Sequence, residues 1–252
     1  MAIVLGQSVA GAVALLWAVP LWNEVKRGYF TISCSVIAVL AFAWWRAAEA
    51  GFVAGSGAGR SSVRLALASL CLAIAAAVLL LVRPHGLARV VGFATIPVSL
   101  AGLVAMAGTA RQAEPIALFQ LGAGATFLGA VLDGLLLGHW YLTDRGLSRG
   151  PIDRYAAFLL IAVALEVVAV ISAGFRGVAT TGGINPLLTA GALAPWIALG
   201  MVGTTALIAV LVKIVLRGAR ATAVQSATGF FYLAVVTAFT AEVAVKVRFL
   251  PA

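Results

Sequence analysis

Apolar runs about 20 residues long recur along the whole chain, broken only by short polar connections, and no other feature constrains its folding more. In hydrocarbon, every backbone N–H and C=O must find its partner within the protein, so runs of this length are read as membrane-crossing helices. Strands of a membrane barrel would alternate polar and apolar residues over about 10 positions, and these runs do not alternate. Eight spans are expected: Ala2–Trp22, Phe30–Trp45, Val63–Val82, Val90–Gly108, Pro115–Leu142, Tyr155–Phe175, Ala192–Leu216 and Thr228–Val247. The second is the shortest. Its continuation through Arg46 and Glu49 toward Val53 would let those two neutralise one another at i and i+3.

Composition agrees: 63% of residues are hydrophobic and 10% charged, against about 45–50% and 25% in a soluble domain. The expectation is an all-α integral membrane protein. It is a single polytopic bundle of about eight transmembrane helices over residues 1–252, with no soluble domain. Gly51–Ser62 reads as a flexible loop, and Arg176–Gly191, broken by Gly182, Gly183 and Pro186, as the longest irregular stretch. Met1–Trp22 has neither a basic n-region nor a small-residue cleavage site and is read as a retained first span.

The net charge is +9, yet the basic residues stand singly between apolar runs rather than in a patch, which points to topology and not to nucleic acid. Lys26, Arg27, Arg83, Arg89, Arg145, Arg149, Arg154, Lys213, Arg217 and Arg220 fall on one side. Arg46, Arg60, Arg64, Arg111, Arg176, Lys246 and Arg248 fall on the other. The richer side is expected to be cytoplasmic, with both termini on the outer side of a cell inner membrane. Trp17, Trp22, Trp44, Trp45, Trp140, Tyr141 and Trp196 lie near span ends, where interfacial aromatic belts form.

An ionisable side chain inside a span costs on the order of 2.5–3.5 kcal/mol on insertion scales, so each needs a reason. Asp133, His139, Glu166 and Glu242 meet this description, with Gln7 and Gln120 as milder cases. In the fifth span, Gly122, Thr126, Ala130, Gly134 and Gly138 recur every four residues as a small-residue stripe suited to close helix packing. Asp133 lies beside that stripe, and His139, Trp140 and Tyr141 follow toward the cytoplasmic boundary. An acid, an imidazole and two amphipathic aromatics suit a quinone pocket or a proton route. Glu166, flanked by Ala, Leu and Val, must be neutral or paired with a polar group of another helix. Glu242 and Lys246, at i and i+4, are expected to form a local pair with Lys246 snorkelling outward.

His85, in the segment Arg83–Gly86, and His139 are the only histidines and fall on the same side, which allows one bis-histidine haem b but not two. The absence of CxxCH and CxxC motifs excludes c-type haem attachment and cysteine-ligated iron–sulfur clusters in this chain. Histidine and cysteine are too few for a structural zinc site, and Cys34 and Cys71 are expected to be buried thiols. HExxH, Walker A and Rossmann patterns are absent. Pro97 and Pro195 are the evident helix breakers within spans.

Eight spans with one or two embedded acids resemble, in architecture alone, the cofactor-free membrane anchors of polysulfide-reductase type. No functional position is carried over from them. The sequence is thus read as an integral membrane subunit of a respiratory-type redox complex, working in electron transport with other subunits. It would contribute a quinone pocket or proton route near the cytoplasmic face. The alternatives are a proton- or cation-coupled transporter or channel, and a structural or assembly subunit.

Overall fold

The computed structural model describes residues 1–51, 56–82, 84–110, 113–144, 146–172, 193–218 and 222–246. They form eight α-helices: α1 (Ala2–Ala18), α2 (Arg27–Gly51), α3 (Gly57–Val82), α4 (His85–Ala107), α5 (Glu114–Thr143), α6 (Gly150–Ser172), α7 (Ala194–Leu216) and α8 (Thr222–Lys246). Seven of these are long and apolar enough to cross a membrane, while α1, at 17 residues, is shorter. The expected irregular stretch Arg176–Gly191 lies outside the described residues, as do Arg83, Arg111, Arg145, Arg220 and Arg248.

Several boundaries differ from the sequence reading, each for a local reason. The expected loop Gly51–Ser62 is helical from Gly57, because the Ser56 hydroxyl accepts the Gly59 N–H at 3.0 Å and caps the first turn. α2 runs on to Gly51, with Arg46 ion-paired to Glu49 on its surface. His85 is the first residue of α4 rather than a loop residue, Pro84 standing as its N-cap. Pro195 starts α7 at a position where a missing N–H is harmless, so it breaks nothing, and α4 continues through Pro97. α8 begins six residues earlier than expected, at Thr222.

The packing repeats a four-helix pattern. In the first half, α1 packs on α2 and α4, and α3 packs on the same two; in the second, α5 packs on α6 and α8, and α7 on the same two. The two first helices, α1 and α5, join the halves. Both are wrapped: α1 is buried along most of its length and α5 on nearly every face, while α3, α4 and α7 leave Leu81, Val90 and Leu207 outward. A helix apolar all round belongs in such an interior.

Glycine makes the seam. A methyl group at Gly11 would lie 2.6 Å from the Ala125 carbonyl carbon, and one at Gly129 2.8 Å from the Gly11 Cα, so backbone meets backbone. Two tryptophans expected in interfacial belts are instead core residues: Trp17 is 2% and Trp44 0% exposed. Facing glycines vacate the volume they fill, Gly92 against Trp17, and Gly6 and Gly102 against Trp44. Cys34 is buried as expected, whereas Cys71 lies on the outer surface of α3.

Candidate functional site

Hydrocarbon-depth acids can persist only by turning inward, and both central ones do: Asp133 and Glu166 are each 0% exposed. They do not share a pocket. The helices alternate in direction, so one end of the bundle carries Ala18, Arg27, Val82, His85, Thr143, Gly150, Leu216 and Thr222, and the opposite end carries Ala2, Gly51 and Lys246. Asp133 sits in the first-named half and Glu166 in the other. The 11 residues from Tyr155, beside Asp133, to Glu166 place the two acids roughly 16 Å apart along the axis at 1.5 Å per residue.

The upper layer, toward Thr143 and Gly150, gathers Asp133 of α5, Tyr29 and Ser33 of α2 and Tyr155 of α6. All four are buried. The Tyr155 hydroxyl interacts with both Tyr29 and Asp133 and donates to the Leu15 carbonyl at 3.4 Å. Tyr29 also interacts with Ser33, so the acid, the two phenols and the serine form one buried polar group. Tyr29, Ser33 and Tyr155 carry no periodic signal in the sequence. Only their depth, within two turns of the same membrane face as Asp133, marks them.

The lower layer is richer. Gln7 of α1, Gln120 of α5, Glu166 of α6 and Glu242 of α8 are all 0% exposed, and Lys246 of α8 is 4% exposed. The Lys246 ammonium approaches Glu242 Oε2 at 3.2 Å and donates to the Gln120 carbonyl at 3.4 Å. Glu166 interacts with both Glu242 and Lys246. The local pair Glu242–Lys246 therefore forms, but Lys246 does not snorkel outward. Its ammonium turns into the protein because two carboxylates and a helix carbonyl await it there. Gln7 Nε2 reaches the carbonyls of Gln120 (3.4 Å) and Leu121 (3.2 Å). Gly124 gives this layer its room: a methyl there would lie 2.6 Å from each carboxylate oxygen of Glu242 and would also strike the Gln7 amide. The layer spans the seam, since Gln7 comes from the first half and the other residues from the second.

At depths between the layers, Phe127, Leu128, Leu159 and Ala162 are fully buried, and so is Thr205 of α7, whose hydroxyl bonds that of Thr237 of α8 at 2.7 Å.

The remaining sequence candidates lie elsewhere. His139 is exposed, 3.5 Å from the Tyr232 hydroxyl of α8, on a different face of α5 from Asp133. Trp140 packs on Gly28 of α2, and the Tyr141 hydroxyl donates to the Ser148 carbonyl, so both brace the end of α5. His85 is exposed on α4, apart from the α5–α8 surface that holds His139. Of the small-residue stripe, Ala130, Gly134 and Gly138 are buried, the two glycines against Phe231 and Thr228 of α8. Gly122 faces open space, and Thr126 is only half-buried, bonding its own helix at the Gly122 carbonyl. The stripe rotates away from α8 because 3.6 residues per turn do not keep a four-residue repeat on one line.

The upper end is tied across the halves by ion pairs. Arg154 meets Glu24, and Lys26 meets Asp144 at 3.1 Å; within the second half, Lys213 meets Asp153 at 3.4 Å. No family model, curated protein or solved structure matches the chain.

Proposed function

We propose that the protein is a proton-coupled membrane transporter whose central site is the lower polar layer at the seam between its two four-helix halves. The observation that carries this is the convergence of Gln7, Gln120, Glu166, Glu242 and Lys246, from four helices and both halves, at one buried level. Transporter sites are typically found where internal repeats meet. Two carboxylates buried with one lysine are expensive as a mere packing device. Asp133 with Tyr155 supplies a second titratable station nearer the opposite face. The reading as a quinone-binding redox subunit drew on Asp133, the His139–Trp140–Tyr141 cluster beyond it and Glu166; with His139 exposed, Trp140 and Tyr141 bracing the end of α5 and Glu166 in the other layer, transport is favoured.

The test is purified protein in liposomes with an internal pH dye and an imposed membrane potential. Proton entry should exceed that of protein-free vesicles and fall to that background in Glu166→Gln, with a marked loss in Asp133→Asn. Flux equal to empty vesicles, or undiminished in both variants, would rule the reading out.

A further inference from the structure

The lower layer has an uneven charge count. Among the described residues it holds two carboxylates, Glu166 and Glu242, and one ammonium, Lys246. Ionised together, they leave one negative charge uncompensated in a region where no side chain exceeds 4% exposure. The deficit matches one singly charged cation.

The atoms available to meet it are oxygens. Gln7 Oε1 and Gln120 Oε1 are buried and close no hydrogen bond, while the buried carboxyls of Glu166 and Glu242 interact with each other and Glu242 Oε2 lies 3.2 Å from the Lys246 ammonium. Lys246, 3.2 Å from Glu242 Oε2, neutralises one of the two carboxylates and leaves the charge of the other to be matched. The two amides make this more than an acidic pair. The Gln7 side chain is folded over Gly124 beside the Glu242 carboxylate, with Nε2 nearest the gap and donating to the Gln120 and Leu121 carbonyls, which leaves Oε1 as its open atom; a side chain at Gly124 would occupy this space. Carboxylate, amide and carbonyl oxygens select hard cations; neither imidazole nor sulfur is present for a softer metal. A lysine within the set and a deficit of one charge disfavour a divalent ion.

We propose that this layer binds one monovalent hard cation, of the sodium class, on the oxygens of Glu166, Glu242, Gln7 and Gln120, in competition with protons. The titratable groups facing it among the described residues are Glu166 from α6 and Glu242 and Lys246 from α8; α1 and α5 contribute amides and the Gly124 gap. Protonation of either carboxylate removes the uncompensated charge and expels the cation. The site deepens the transport reading by naming a coupled ion, yet it stands or falls by a separate measurement.

The experiment is binding of radiolabelled sodium to the full chain in detergent, against a choline background. Wild-type protein should bind sodium saturably, near one ion per chain, in alkaline buffer and lose it on mild acidification. Glu166→Gln and Glu242→Gln should weaken binding by about tenfold or more, since 1.4 kcal/mol is tenfold in affinity. Gly124→Ala leaves every charge in place but fills the gap, and should lose binding. Gly122→Ala, two residues away and facing open space, should retain it. Thermal unfolding with sodium against choline gives a second readout, with stabilisation in wild type that is absent from Glu166→Gln. No saturable sodium binding, or binding undiminished in both glutamine variants, overturns the proposal even if proton flux in liposomes is present. Sodium binding without proton flux would instead leave the site standing and remove the transport reading.

Discussion

Replacing Gly11 by alanine tests the seam, and its effect can be worked from the packing. The added methyl would strike the Ala125 carbonyl oxygen and sit 2.6 Å from its carbon, so it lies at least 0.8 Å inside ordinary contact at 3.4 Å. The obstacle is backbone and cannot rotate away, so α1 and α5 must separate. A gap of 0.5–1 Å forfeits a quarter to a half of each dispersion well; with on the order of 30 heavy-atom pairs at about 0.1–0.2 kcal/mol, that costs about 1–3 kcal/mol. The local misfit adds about 1–3 kcal/mol, and removing a helical glycine returns about 1. Gly11→Ala should therefore destabilise by about 1–5 kcal/mol, and Gly129→Ala by a similar amount. The double variant should fall short of the sum, because both methyls break one contact. Gly122→Ala, on the same helix as Gly129 but facing open space, should instead be neutral or gain up to about 1 kcal/mol. Reversible unfolding in mixed micelles, followed by far-ultraviolet circular dichroism, measures all four. If Gly11→Ala and Gly129→Ala prove as stable as Gly122→Ala, the close approach of α1 and α5 is refuted.

Phe231 fills the space left by Gly134 and is fully buried, so Phe231→Ala should cost about 3–5 kcal/mol in the same unfolding assay. Ser56→Ala should loosen the start of α3 by about 1 kcal/mol, read as faster hydrogen exchange at 57–60 with little change in global stability. The Lys26–Asp144 pair joins the halves with a lysine side chain 74% exposed; Lys26→Ala should change stability by under about 1 kcal/mol, and less at high salt.

The all-helical fold with long apolar helices, and the depth of each residue along them, are legible in the sequence because both follow from one-dimensional rules: the length of apolar runs and the alternation of direction. Depth alone puts Gln7, Gln120, Glu166 and Glu242 toward one face and Asp133 nearer the other, so the division into two layers is implicit in residue numbers. Lateral order is not. That α1 stands between α2, α4 and α5 brings Gln7 to Glu242, and no periodicity in α1 announces it. Gly11 and Gly129 are silent for the same reason. Each is an isolated small residue whose meaning lies on the opposite helix, whereas the stripe Gly122–Gly138 stands out by its repeat, although its Gly122 end faces open space. Trp17 and Trp44 mislead because an aromatic near a span end is read as interfacial unless the glycines opposite it are known.

The duplicated four-helix packing bears on how the polypeptide can be divided. Among the described residues each half holds four helices, and α1 and α5 run in the same direction, so a cut between α4 and α5 would ask neither fragment to invert. Two co-expressed fragments could then insert independently and find each other by docking Gly11 on Gly129, reconstituting the sodium pocket only upon reunion, because Gln7 belongs to one fragment and its carboxylates to the other.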